Sequence, residues 1–270
     1  MSKIVLITGC SSGIGRDLAE RLTRSGYTVI ATARKMDSLE NLPVALKLTL
    51  DVTQPKSIQQ SIDIIIQRFG RIDFLVNNAG YAQVGAIEEL SDHQIQQMYD
   101  VNVFGVLRMI RAVVPTMREQ KAGRIINLSS IAGKMVTPVN GSYSSTKFAI
   151  EAISDALRLE LEPFNIQVIV IEPGAIKSNF DQTVHAQGDS ITTNSASPYH
   201  PLYRKYQQVS DGMRGKEPGP EAVSEVIQRA MESANPKARY VAGFPLSGRI
   251  FLHLGDSVWN FTVRQMFKAS

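Results

Sequence analysis

The chain has 270 residues, 43% of them apolar and 20% charged, with a formal net charge of +4. This composition supports a sizeable buried core and excludes a disordered chain, and the mixing of basic with acidic residues excludes the basic footprint of a nucleic-acid binder. The single cysteine, Cys10, excludes an internal disulfide and cannot build a zinc site alone, which fits a reducing, cytoplasmic compartment. No stretch reaches the ~18 apolar residues of a spanning helix, and the N-terminus has no signal-peptide pattern. His93, His185, His200 and His253 form no ligand-spaced pair, so no metal is expected.

Ile4 to Ile7 form a short β-branched run, the pattern of a strand buried on both faces. A glycine-rich turn follows, and then a helix with Leu18, Ala19 and Leu22 on one face, closed by Gly26. Tyr27 to Ala31 give a second strand, which completes a βαβ unit of about thirty residues. The alternation continues with a strand at Ala45 to Leu50 and a helix carrying Ile58, Ile62, Ile65 and Ile66. A strand at Ile72 to Val76 precedes a loop at Gly80 to Gly85 and a helical pattern from Ser91 to Met117, interrupted near Asn102 and Gly105. Then come a strand at Arg124 to Leu128, a long helix from Ser142 to Leu161 and a strand at Gln167 to Ile171. Strands and helices taking turns predict an α/β fold: a single-domain, Rossmann-type, doubly wound parallel sheet with helices on both faces. No linker divides residues 1–270 into two domains. Residues 176–219 read as a long polar segment without periodicity, the character of a functional loop.

The turn after the first strand reads Thr8-Gly9-Cys10-Ser11-Ser12-Gly13-Ile14-Gly15, with G-x3-G-x-G spacing. Glycines there let the backbone approach a pyrophosphate, and the following helix offers unpaired N–H groups and the positive end of its dipole. A glycine triplet alone would also suit a plain βα turn; its place between strand and amphipathic helix favours dinucleotide binding. Cys10 reads as a small loop residue rather than a reactive thiol. The second strand ends Ala31-Thr32-Ala33-Arg34-Lys35, with no carboxylate before Asp37. NAD enzymes usually carry an acidic ribose ligand at this point. Arg34 is instead the expected ligand of a 2′-phosphate, helped by Ser11, so NADP(H) is the expected cofactor. The alternative for Arg34 is a solvated surface arginine.

Tyr143 and Lys147 lie four apart at the start of a helix and share a face. A phenol near pKa 10 is a poor base at neutral pH. A neighbouring ammonium and the charge of an oxidised nicotinamide would both favour the phenolate, and in the reverse direction the phenol donates its proton. Ser130, just past a strand, sits at the carboxyl edge of the sheet, where it can hydrogen-bond a reacting oxygen. Asn102 interrupts a helix, as a polar residue does by engaging the main chain and ordering a water toward Lys147. Tyr and Lys at this spacing are commonly packing plus solvated charge; the loop and the serine in register point to catalysis.

Taken together, these residues resemble the short-chain dehydrogenase/reductase family over nearly the whole chain. The likeness rests on Thr8 to Gly15, Asp51-Val52, Asn77-Asn78-Ala79-Gly80, Asn102, Ser130, Tyr143 with Lys147, and Pro173-Gly174. The resemblance implies that Asn102, Ser130, Tyr143 and Lys147 are the catalytic residues. It implies that Gly9, Ser11, Ser12, Gly13, Ile14, Gly15, Arg34, Asp51, Val52, Asn78, Ala79, Gly80, Tyr143, Lys147, Pro173, Gly174 and Ile176 bind the cofactor. Ser178 stands where the family often has threonine. A homodimer or homotetramer through the helices near 100–118 and 142–162 is likewise implied. Within the family the chain resembles the branch of 17β-hydroxysteroid and retinol dehydrogenases, through Gly9 to Gly15, Arg34 and Pro236 to Val241, and also acylated dihydroxyacetone-phosphate reductases.

From Gly248 onward, Ile250, Leu254, Val258 and Phe261 fall at helical spacing beside Arg249, His253, Arg264 and Lys268. This extension, 248–270, could pack on the domain or a subunit, line a lipophilic pocket, or lie on a membrane as a peripheral contact. The expected activity is hydride transfer between NADP(H) and a small-molecule carbonyl or secondary alcohol, with an apolar substrate implied by the branch. An NAD-preferring dehydrogenase and a non-catalytic NADPH-binding regulator are the alternatives.

Overall fold

The computed structural model describes residues 2–177, 191–253 and 256–267. Seven strands form one sheet: β1 (Ile4–Ile7), β2 (Thr28–Ala33), β3 (Leu46–Thr49), β4 (Phe74–Asn77), β5 (Gly123–Leu128), β6 (Ile166–Pro173) and β7 (Arg239–Ala242). They lie in the order β3-β2-β1-β4-β5-β6-β7, every neighbouring pair parallel. The chain reverses its direction of winding between β1 and β4, which opens a crevice at the carboxyl ends of those strands.

Period-two alternation of the strand side chains builds two cores. Val5 and Ile7 of β1 face one way, with Val29, Ala31, Ile169 and Ile171, and meet Leu18 and Leu22 of α1 (Gly13–Arg24) and Val223 and Ile227 of α7 (Glu221–Glu232). Ile4 and Leu6 face the other way, with Ile30, Ile125 and Val168. They are covered by Ile58, Ile62 and Ile65 of α2 (Pro55–Phe69), by Met109 and Val113 of α4 (Val106–Gln120), and by Ile150 of α5 (Gly141–Leu161). Each fully buried aliphatic side chain contributes about 1.5–3 kcal/mol, so the two helical layers hold the strand ends, and the loops on them, in fixed register.

The interrupted helical pattern resolves into α3 (Asp92–Tyr99), a π-helical stretch over Asp100–Gly105, and α4. Four elements depart from the sequence expectation. Within 176–219, a span expected to lack periodicity, α6 (His200–Met213) is a helix. Its anchor, Tyr203, is 2% exposed and packs with Ala82, Val84, Ala86 and Val139, on a loop and not on the sheet. Helix α7 and edge strand β7 had no counterpart in the expected elements; four residues, three of them half-buried, give β7 little pattern of its own. The expected C-terminal helix is divided into 3-10 turns over Leu246–His253 and helix α8 (Asp256–Phe267). Ile250, Val258 and Phe261 of its apolar stripe are exposed, whereas Val263 is buried. Ser178, His185 and Leu254 lie outside the described residues.

Candidate active site

The carboxyl ends of the strands enclose a cleft of about 750 Å³. The β1–α1 loop forms one end. Gly9 has φ +73, and a Cβ there would lie 2.9 Å from Ala79 Cα. A Cβ at Gly15 would lie 2.4 Å from both Asn78 Nδ2 and Gly9 O. Thr8 Oγ1 accepts hydrogen bonds from Asn78 N and Ala79 N, both at 3.0 Å, and Asn78 Nδ2 donates to Thr8 O at 2.9 Å and Gly9 O at 3.0 Å. The glycines thus serve close packing of two loops. Ser12, at the N-cap of α1, makes no side-chain cap bond, and the first turn has no acidic residue. The leading N–H groups and the helix dipole therefore face the cleft without a side-chain anion, as a phosphate ligand requires. Gly15→Ala is expected to cost about 1–3 kcal/mol through overpacking, read as a lower urea midpoint with an unchanged m-value.

Cys10 is fully buried, and desolvation pushes its thiol up to about 12. It is a packing residue, not a nucleophile. Arg34 stands exposed at the end of β2 and lines the cleft; among the described residues it pairs with no carboxylate. Asp51 Oδ1 accepts from Thr53 N at 2.9 Å and Thr53 Oγ1 at 2.8 Å, which fixes the turn after β3, and Val52 packs against Gly105.

Ser130, Tyr143 and Lys147 line the same cleft. Ser130 Oγ accepts from Ala132 N at 3.1 Å and donates to Pro173 O at 3.3 Å, so it is tied to the end of β6. Burial pushes the Tyr143 phenol up to about 12, and a hydrogen bond with Ser130 partly counters this. Lys147, 7% exposed, is brought down to about 8 by burial, against the pull of Glu151. Its ammonium donates to Leu128 O at 2.8 Å and lies 5.7 Å from the centre of the Tyr143 ring.

Asn102 is 1% exposed and sits behind this wall, not on it. Its Oδ1 accepts from Tyr81 N at 3.0 Å, while Nδ2 donates to Tyr81 O at 2.8 Å and Thr146 Oγ1 at 3.2 Å. The expected engagement of main chain is therefore the π-helical break itself: the widened turn aims this amide at the loop after β4. Of the other expected site residues, Gly15 also lies behind the lining. Gly9, Ser11, Ser12, Gly13, Ile14, Arg34, Asp51, Val52, Asn78, Ala79, Gly80, Pro173, Gly174 and Ile176 all line the cleft.

The cleft also holds residues the sequence did not single out. Tyr81, Thr137, Asn140 and Tyr206 line it. Tyr206 comes from α6, which is rooted by Tyr203: its hydroxyl accepts from Ala86 N at 3.0 Å and donates to Glu89, which also accepts from Ser197 Oγ at 2.5 Å. The aromatic spacing Tyr199, Tyr203, Tyr206 was the available signal for this helix. Among the described residues, none from the C-terminal extension lines the cleft, though Trp259 Nε1 donates to Val136 O at 2.8 Å beside it.

A doubly wound parallel sheet with a glycine loop at its switch point is the architecture of dinucleotide-binding proteins. The chain belongs to the short-chain dehydrogenase family, whose profile matches residues 3–189, and is an oxidoreductase of that family. It is 35% identical over 244 residues to the uncharacterized oxidoreductase YbbO of Escherichia coli K12, covering 89% of this chain and 85% of that one. It is 43% identical over 178 residues to the 3-ketodihydrosphingosine reductase of Bacteroides thetaiotaomicron; the match spans 66% of this chain and 65% of the reductase, a little under two thirds of its length. A short-chain dehydrogenase from Streptomyces avermitilis superposes with a TM-score of 0.79 at 31% identity, covering 98% of this chain and 96% of that one. A closed serine dehydrogenase complexed with NADP+ gives 0.77 at 27% identity, covering 88% and 93%. An NAD+-bound xylitol dehydrogenase gives 0.78 at 26% identity, covering 90% and 98%. Structures similar to this chain thus hold either dinucleotide. Among the described residues no helix is long and apolar enough to cross a membrane, and no cluster suited to a metal is present.

Proposed function

We propose that this protein is an NADP(H)-dependent carbonyl reductase acting on an apolar ketone or aldehyde, in the reducing environment of the cytoplasm. The observation that carries this reading is the convergence of Ser130, Tyr143 and Lys147 on one wall of the cleft whose far end is the glycine loop and Arg34. The loop fits a dinucleotide because Gly9 and Gly15 leave room that a Cβ would fill, and because the first turn of α1 lacks a side-chain cap. Gly9, Ser11 to Gly15, Asp51, Val52, Asn78 to Gly80, Pro173, Gly174 and Ile176 would hold it, with Arg34 on the 2′-phosphate. A bound reduced dinucleotide would supply the hydride for the carbonyl carbon and be oxidised in doing so.

Ser130 and Tyr143 hydrogen-bond the substrate oxygen and orient the carbonyl. As negative charge grows on that oxygen, the Tyr143 phenol gives up its proton and an alcohol results. Lys147 steadies the phenolate left behind, and Asn102 braces the loop opposite while holding the relay toward Lys147. With its pKa raised, the phenol is fully protonated at neutral pH, which suits reduction. An apolar substrate is supported by the resemblance to the hydroxysteroid and retinol dehydrogenase branch. Carbonyl reduction is supported by the relative named for reducing 3-ketodihydrosphingosine. Exposed Phe104 and Phe148 support a homodimer or homotetramer through the α4–α5 side, which native mass measures. The C-terminal extension, with Ile250, Val258 and Phe261 exposed, is the candidate for a peripheral membrane contact.

The test is consumption of NADPH, with NADH in parallel, against steroids, retinals, long-chain ketones and simple aldehydes. Turnover with NADPH on the apolar carbonyls alone is the expected result. Tight NADPH binding with no turnover on any of them would favour the non-catalytic regulator.

A further inference from the structure

One helical turn beyond Lys147 on α5, a cluster of carboxylates and cations lies inside the protein. Glu151 is 5% exposed and Glu172, the residue before Pro173 on β6, is 4% exposed. Two cations reach them from separate elements. Arg239 of β7 places Nε 2.8 Å from Glu151 Oε2 and 3.6 Å from Glu172 Oε1. Lys134, in the turn after Ser130, places Nζ 3.3 Å from Glu151 Oε2 and 4.0 Å from Glu172 Oε1. Arg239 also holds Asp155 at 2.6 Å. The second oxygen of Glu151 makes no hydrogen bond among the described residues. Burial and the adjacent Glu151 charge raise Glu172 above the usual carboxylate range.

Fold stability alone does not call for this arrangement. Buried ion pairs seldom exceed well-packed apolar residues in stability, and two acids side by side make the balance worse. The cluster does, however, join every element that carries a reacting group. Lys134 belongs to the turn of Ser130, Glu172 to the strand end whose Pro173 O accepts from Ser130, and Glu151 to the helix of Tyr143 and Lys147. The fit is tight: a Cβ on Gly133, beside Lys134, would lie 3.2 Å from Lys147 O and 3.3 Å from Glu151 Cγ.

We infer that Glu151 is a positioning residue of this site: anchored by Lys134 and Arg239, it docks the Ser130 turn onto α5 and places a buried negative charge one helical turn from Lys147. The inference rests on the reading in which Ser130, Tyr143 and Lys147 carry the chemistry. The charged and titratable groups facing Glu151 are Lys134 from the turn, Glu172 from β6, Arg239 from β7, and Lys147 on its own helix; Lys147 faces Tyr143 and Glu151. Desolvation lowers Lys147, and Glu151 is the charge that raises it, so loss of Glu151 moves the titration to lower pH.

The experiment follows the Lys147 Cε resonance through a pH titration of the full chain labelled with carbon-13 at lysine, assigned by its disappearance in Lys147→Arg. In the wild type the midpoint is expected near 8. In Glu151→Gln it should fall by about one unit. Lys134→Gln removes an opposing charge from a partly exposed position and should move the midpoint upward, so it serves as the test if Glu151→Gln does not fold. On an accepted substrate, kcat/KM of Glu151→Gln should drop about five-fold at the wild-type midpoint and recover at lower pH. A Lys147 midpoint unmoved in the folded variants, with only a lower melting temperature, would overturn the inference. Turnover surviving in Tyr143→Phe would instead overturn the catalytic reading and leave the lysine titration to be judged by itself.

Discussion

Tyr143→Phe is expected to reduce turnover by about a thousand-fold or more, within the range that positioned general acids supply, while dinucleotide affinity changes less than about three-fold. Only one oxygen is removed, and the ring keeps its place on α5 beside the Lys147 ammonium. The lost group is the proposed proton donor, in hydrogen-bond contact with Ser130. Ser130 remains to orient the carbonyl, so substrate binding should survive and the loss should fall on kcat rather than KM. The pH dependence follows from Lys147. Its folded-state pKa is lowered to about 8, so the ammonium is present below that pH and lost above it. For reduction, kcat/KM should therefore be level on the acid side and decline as pH rises through about 8, since this ratio reports the free enzyme. Activity within ten-fold of wild type in Tyr143→Phe would remove the phenol from the mechanism.

The parts of this site that were legible in the sequence are those set by local rules. Gly9, Gly13 and Gly15 lie where a strand period gives way to a helical one. Tyr143 and Lys147 share a helix face by their spacing, and Ser130 follows a strand. Even the break at Asn102 was visible as a lost periodicity, although only the structure shows that the amide clamps both main-chain groups of Tyr81. The illegible parts depend on partners distant in the chain. Helix α6 packs an aromatic face on a loop more than a hundred residues earlier, through Tyr203 to Ala86 and Glu89, so no sheet-facing aliphatic stripe announces it. Strand β7 exists because β6 offers it an edge, and its Arg239 meets Glu151 across 88 positions. In the C-terminal extension the helical spacing was real, but it could not tell which face is covered: Val263 is buried while Val258 and Phe261 remain exposed.

Arg34→Asp should reverse the cofactor preference. The wild-type guanidinium lines the cleft at the end of β2, unpaired with any carboxylate among the described residues, and its field reaches far enough to lower the Tyr81 phenol against the raising effect of burial. A bidentate arginine–phosphate contact combines charge with a matched fork of donors. Losing a charge-assisted contact of this kind costs about 1.5–3 kcal/mol, and each 1.4 kcal/mol is about ten-fold, so kcat/KM for NADPH should fall by roughly ten- to a hundred-and-fifty-fold. The aspartate adds repulsion toward a 2′-phosphate and an acceptor for the free ribose hydroxyls of NADH, whose kcat/KM should rise. Arg34→Lys separates the two contributions: it keeps the charge but loses the fork, and should fall between wild type and Arg34→Asp. Because Arg34 is exposed, the wild-type preference should also weaken as salt is raised. The comparison to make is the NADPH-to-NADH ratio of kcat/KM for the three proteins at low and high ionic strength. A ratio that moves less than about three-fold in Arg34→Asp would make Arg34 a solvated surface residue and give the site to NAD.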